Sequence, residues 1–365
     1  MHPDDQIAVL RILDASVNRA AEGLRVVEDY VRFALDDRHL TELAKGLRHD
    51  LVVGADAIAS ADLHAARETQ CDVGTSVGTE SEAARADTWH VCAASLKRIE
   101  QSLRSIEEYS KIEHPEFARR CEALRYRTYT LERAIDLTRN SLERFDQVKL
   151  YVLVDARESL AAFAQLVESL ASVGVGAIQL RVKQLTDRDL IERARALVAA
   201  TRGTACLAII NDRPDIAAIV RADGVHLGQE DMRVKDARAI VGPRSLIGVS
   251  THSMEQARAA VLDGANYLGA GPTFPSATKS FSDFPGLDFL REVAAEIRLP
   301  TFAIGGIHRE NVAAVLDTGL TRVAISSAIT YAPHPAPAAT ELLSLLDHGG
   351  TENTEGRKRN HDEFK

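Results

Sequence analysis

The sequence predicts an α/β protein, a (β/α)8 TIM barrel preceded by an all-α helical domain. Three observations carry that prediction. Residues 1 to about 146 repeat apolar side chains at three- and four-residue spacing, with few β-branched alternating runs. From Leu150 onward, short β-branched runs alternate with amphipathic stretches. There are eight such strand and helix units over about 200 residues, the number that closes a barrel.

The 365 residues (39.8 kDa) exceed a typical single domain. They divide into a helical domain at 1–146, a barrel at 147–346, and a polar, Gly- and charge-rich tail at 347–365 that is expected to be disordered. Hydrophobic residues at 45% supply a sizeable core. A net charge of -9 and only 5% aromatics argue against a nucleic-acid partner. No apolar run approaches the length of a membrane span, and MHPDDQIAVL lacks the features of a signal peptide, so a cytoplasmic protein is expected. Cys71, Cys92, Cys121 and Cys206 are widely spaced and read as free thiols. The sequence allows a homo-oligomer without fixing its state.

The helical domain contains an internal echo. Residues 19–33 (RAAEGLRVVEDYVRF) align without gaps on 98–112 (RIEQSLRSIEEYSKI), with Leu24/Leu103, Arg25/Arg104, Glu28/Glu107 and Tyr30/Tyr109 identical. Helical spacing puts Leu24, Val27 and Val31 on one face and Arg25, Glu28, Asp29 and Arg32 on another. This fits either two similar bundle helices with salt bridges or a duplicated unit whose charges face a polar cleft. The Gly/Thr/Ser-rich segment 67–80 reads as a loop and lacks the lysine of a P-loop. Tyr126 to Val148 reads as a long polar helix.

The predicted strands are 150–155, 177–182, 207–211, 224–228, 246–251, 267–272, 301–306 and 322–327. No GxGxxG follows the first, which disfavours an open dinucleotide-binding sheet. In such barrels chemistry sits at the C-terminal strand ends. In the second strand, Gln179, Arg181 and Lys183 alternate with Ile178, Leu180 and Val182. If the apolar set meets the outer helices, the polar set points inward, where cations need an anion. The alternative is that Arg181 and Lys183 snorkel out at a strand end. Asn211 and Asp212 end the third strand, and Asp231 follows the fourth. Each aspartate alone would read as a helix N-cap, while the pair suits one magnesium ion, Mg2+. His226, in mid-strand, reads as a core histidine. The loop 271–286 (GPTFPSATKSFSDFPG) offers Ser276, Thr278 and Lys279 to an anion, and Gly305-Gly306 and Ser326-Ser327 lie where these barrels bind phosphate.

IQLRVK, INDRPDIA, DGVHLGQEDM, IGVSTHS, YLGAGPTFPSATK, AIGGI and ISSAI, in order over 150–330, resemble thiamine-phosphate synthase. The resemblance implies a magnesium-dependent transferase that joins hydroxymethylpyrimidine diphosphate to thiazole phosphate. It implies that Gln179, Arg181, Lys183, Asn211 and Lys279 hold the pyrimidine diphosphate and that Asp212 and Asp231 bind magnesium. Ser250 would lie near the reacting groups, with Lys279 and Arg181 catalytic beside it. Ser276, Thr278, Gly306, Ser326 and Ser327 would hold the thiazole phosphate. Ser276 stands where the family commonly has Thr, and Ser326 where it commonly has Ile. A thiazole tautomerase of the same fold is the runner-up, against which stand the intact Thr278-Lys279 loop and both aspartates, and a catalytically silent ligand-binding barrel would be expected to have lost Lys279 or an aspartate. The helical domain resembles the hydroxymethylpyrimidine phosphate kinase domain sometimes fused to this synthase, and a structural or dimerising bundle is the competing reading.

Overall fold

The computed structural model describes residues 2–68, 85–182, 184–275 and 285–347. It separates into two compact units, with the division between Asp136 and Leu137 rather than at 146/147.

The first unit is helical: α1 (Pro3–Phe33), α2 (Arg38–Ala55), α3 (Ser60–Ala66), α4 (Thr88–Ser110) and most of α5 (Pro115–Arg144). Helix starts are marked by side chains that accept otherwise unpaired N–H groups: Asp37 Oδ1 takes Leu40 N–H, and Asp87 Oδ1 takes His90 N–H, both at 2.8 Å. Leu24, Val27 and Val31 of α1 are buried, as are Leu96, Ile99 and Leu103 of α4. The two helices cross closely at Gly23, where a Cβ would lie 2.7 Å from Ile99 Cγ1.

The sequence echo survives in three dimensions and extends one helix further. Glu28 is buried and accepts from Arg48 Nε of α2 at 3.0 Å. Its counterpart Glu107 is buried and accepts from Arg125 of α5 at 3.1 and 2.9 Å. Arg25 and Arg104 add the same-helix pairs at 3.6 and 2.6 Å. Each buried carboxylate is thus held by one arginine of its own helix and one of the next.

The second unit is the barrel. Its strands are β1 (Leu150–Val154), β2 (Ala177–Leu180), β3 (Leu207–Asn211), β4 (Gly224–Leu227), β5 (Leu246–Thr251), β6 (Tyr267–Ala270), β7 (Thr301–Ile304) and β8 (Val323–Ile325). All pair in parallel in sequence order, and β8 closes on β1 with Tyr151 opposite Ala324. The connecting helices are α6 (Leu160–Ser172), α7 (Asp187–Thr201), α8 (Pro214–Val220), α9 (Val234–Val241), α10 (Met254–Asp263), α11 (Gly286–Glu296), α12 (Val312–Leu316) and α13 (Ser327–Thr330), with α14 over 335–347. Odd-numbered residues of β1 and β2 and their equivalents fill the interior: Tyr151, Leu153, Ala177, Ile209, Leu246, Tyr267, Phe302 and Ala324 form one buried cluster.

Phe145 belongs to that cluster. Its ring centre is 5.1 Å from that of Tyr267 and 5.8 Å from that of Phe302. Ser141 Oγ accepts from Asn266 Nδ2 at 3.4 Å. The end of α5 therefore serves as part of the barrel, which is why the unit division falls ten residues before the end of the purely helical pattern.

Arg125→Ala leaves the buried Glu107 without its interhelical partner and is expected to lower stability by about 3 kcal/mol, the usual cost of breaking a buried pair. Arg104→Ala, at a half-exposed side chain, should cost under about 1 kcal/mol. Denaturant midpoints of the two variants check the contrast.

Candidate active site

The C-terminal ends of β2 to β5 bring together residues far apart in sequence. Arg181 follows β2, and its N–H continues the ladder to Val154 O at 2.9 Å. Asn211 ends β3. Asp212, immediately after it, adopts a left-handed backbone with φ of 58°, a region that aspartate tolerates better than most residues. Its N–H donates to His226 O of the neighbouring strand at 2.8 Å.

Asp212 and Asp231 meet. Burial and a hydrogen bond with Asp231, together with that residue's charge, push the Asp212 carboxyl up to about 6; the nearby Arg181 and a hydrogen bond with Asn211 act the other way. Asp231 Oδ2 accepts from Gly228 N–H at 2.7 Å. A Cβ on Gly228 would stand 2.7 Å from that same oxygen, so only glycine leaves the carboxylate its place. Neither aspartate is an N-cap: those positions on α8 and α9 belong to Arg213 and Arg233. Among the described residues no group of three or more His, Cys, Asp or Glu is arranged to hold a metal. Two apposed carboxylates, whose mutual repulsion a cation relieves, fit magnesium, which commonly takes one or two protein carboxylates with phosphate oxygens and water completing its shell.

Inside the barrel, polar side chains of neighbouring strands meet one another. Gln179 is buried at 2% exposure and donates to Tyr151 Oη at 3.1 Å. Half-buried Ser250 meets His226 Nε2 at 2.9 Å, while its carbonyl accepts from Gln229 Nε2. His226 is half-buried and is more than a packing residue, since its other ring nitrogen lies 3.2 Å from Tyr267 Oη. Tyr151, Tyr267, Gly228 and Gln229 are the contributors that sequence reasoning missed. The strand period would have turned both tyrosines inward; only barrel closure shows that they touch.

On the β6 to β8 side, Gly305 and Gly306 have φ of 103° and 65°. Cβ atoms there would strike Pro272 Cα and Phe274 O, each at 2.8 Å. The loop root after β6 thereby lies against β7, with Thr273 and Phe274 N–H donating to Ile304 and Gly305 carbonyls at 2.9 and 3.0 Å. Ser326 is the N-cap residue of α13, and it and Ser327 are exposed where a helix leaves its first N–H groups without intrahelical partners. A pocket of about 480 Å3 beside Arg181 is lined by Asp155, Arg157 and Tyr331, and among the described residues by no other member of the expected set. Lys183, Ser276, Thr278 and Lys279 lie outside the described residues.

A closed parallel barrel with cationic, acidic and glycine-rich elements gathered at one mouth defines a TIM-barrel enzyme. Residues 150–329 match the thiamine monophosphate synthase family, and residues 11–134 match the ThiD2 family. A thiamine-phosphate synthase of Rhodopirellula baltica is 45% identical over 89% of this chain and 89% of its own length. One from Synechocystis sp. is 40% identical over 93% of this chain and 96% of its own. The solved thiamine phosphate pyrophosphorylase of Pyrococcus furiosus is 34% identical, with a TM-score of 0.50, covering 57% of this chain and 98% of that one. The chain belongs to the thiamine-phosphate synthase family and is a transferase of that activity. No described helix is long and apolar enough to cross a membrane.

Gly228→Ala is expected to displace the Asp231 carboxylate and weaken apparent magnesium affinity by about 10- to 100-fold, the usual effect of losing a ligand's support. The magnesium dependence of turnover measures it; an unchanged dependence would count against this pairing.

Proposed function

We propose that the mouth of the barrel joins hydroxymethylpyrimidine diphosphate to thiazole phosphate, and that the helical unit makes the first of these by phosphorylating hydroxymethylpyrimidine phosphate. The observation that carries the barrel assignment is the apposition of Asp212 and Asp231 beside Arg181.

Each residue group has a task set by charge. Arg181, Lys183 and Lys279 bind the diphosphate and stabilise the negative charge that grows on it as the bond to the pyrimidine methylene breaks. Asp212 and Asp231 would hold magnesium, which when bound supplies further positive charge to the leaving group. Gln179, Asn211 and Ser250 orient the pyrimidine, whose electron-rich ring shares the positive charge left on its methylene carbon. Gly306, Ser326 and Ser327, with Ser276 and Thr278, place the thiazole phosphate so that the ring nitrogen faces that carbon. The nitrogen carries its own lone pair, so no strong general base is needed. Lys279→Ala and Asp212→Ala are each expected to abolish coupling without unfolding the chain; full formation of thiamine phosphate from the two substrates in either variant would defeat the assignment.

For the helical unit, support comes from the match to the ThiD2 family and from chemical logic, because its product would be the barrel's substrate. The full chain supplied with ATP and hydroxymethylpyrimidine phosphate is expected to release one ADP per diphosphate formed. Absence of ADP release would leave a structural or dimerising bundle as the reading.

A further inference from the structure

The polar groups inside the barrel form one unbranched hydrogen-bonded chain. Gln179 Nε2 donates to Tyr151 Oη at 3.1 Å, and the Tyr151 and Tyr267 hydroxyls are 3.0 Å apart. Tyr267 Oη is 3.2 Å from His226 Nδ1, and His226 Nε2 is 2.9 Å from Ser250 Oγ. The rings fit because Gly248 has no Cβ; one there would lie 2.1 Å from Tyr267 Cζ and 2.5 Å from His226 Nδ1.

Proton counting gives this chain a direction. With Gln179 Nε2 donating to Tyr151, only one direction gives every proton along the chain an acceptor among the described residues: Tyr151 donates to Tyr267, and Tyr267 donates to His226 Nδ1. An imidazole that accepts at Nδ1 carries its proton on Nε2. That proton goes to Ser250 Oγ, which leaves the serine's own proton to be donated outward. At the other end Gln179 Oε1 is buried with no partner among the described residues, an acceptor awaiting a donor.

We infer that Tyr151, Tyr267 and His226 are positioning residues whose directed chain fixes Ser250 as a hydrogen-bond donor and Gln179 as an acceptor toward the pyrimidine substrate. The inference rests on the reading above that Ser250 and Gln179 touch that substrate. None of the three contacts reacting atoms; they set which way two contacting groups point their protons.

A double-mutant cycle in the full chain tests it. Tyr267→Phe keeps the ring and removes the link to His226. It is expected to raise KM for the pyrimidine diphosphate by about tenfold, roughly one ordinary hydrogen bond, and to leave KM for thiazole phosphate within about twofold. In a Ser250→Ala background, Tyr267→Phe should add nothing, because the group it acts through is gone. Equal rises in both KM values, no change in either, or effects that multiply in the double variant would each overturn the inference. If Ser250→Ala alone leaves the pyrimidine KM unchanged, the site assignment beneath it has failed, and that is seen before Tyr267 is altered. Should Tyr267→Phe not fold, Tyr151→Phe breaks the same chain one link earlier and is scored by the same cycle.

Discussion

An eight-stranded parallel barrel must fill its own interior, and the way this one does so governs the rest of the second unit. The N-terminal half of the interior is aromatic and aliphatic, built from Phe145, Tyr151, Tyr267 and Phe302 packed at ring distances of 5.1 to 5.9 Å. Such rings bring large apolar area to a small space, but two of them carry hydroxyls, and a buried hydroxyl without a partner is costly. The hydroxyls are satisfied by each other, by Gln179 and by His226, so polarity is passed up the barrel until it reaches Ser250. Packing at the closed end and polar order at the open end are one arrangement.

At the mouth the governing force is charge. Burial, and after it the hydrogen bond and charge of Asp231, push the Asp212 carboxyl up to about 6, on a residue whose backbone is left-handed. Such an arrangement is unfavourable in isolation and becomes favourable when a cation joins it. Arg181 stands close enough to oppose the repulsion. A site that mixes cations with an acidic pair suits a substrate that brings both phosphate charge and a metal ion. The neutral, glycine-bearing side at β7 and β8 suits a second phosphate bound by backbone.

Much of this was legible in the sequence, and the limits have physical causes. All eight strands fall within a few residues of their expected positions, because β-branched runs between glycine-closed helices are strong local signals. The period of two also turned Gln179 inward, where its bond to Tyr151 places it. What periodicity does not carry is contact across the barrel. Tyr151 and Tyr267 are 116 residues apart, and His226 and Ser250 lie on different strands, so their chain exists only after closure. Gly228 resembled any strand-end glycine until the Asp231 carboxylate was found where its Cβ would be. In the helical unit, the matching helices were visible as an echo, whereas the interhelical arginines Arg48 and Arg125 sit just beyond the aligned stretch.

The central claim is that Asp212 and Asp231 form one cation site at the mouth, with the diphosphate substrate completing it. Anomalous scattering from crystals of the full chain grown with manganese and a non-reactive pyrimidine diphosphate tests this most directly. The account predicts a single strong anomalous peak within bonding distance of both carboxylates and of diphosphate oxygens. A peak elsewhere in the barrel, or substrate density with no metal between these two residues, would contradict it.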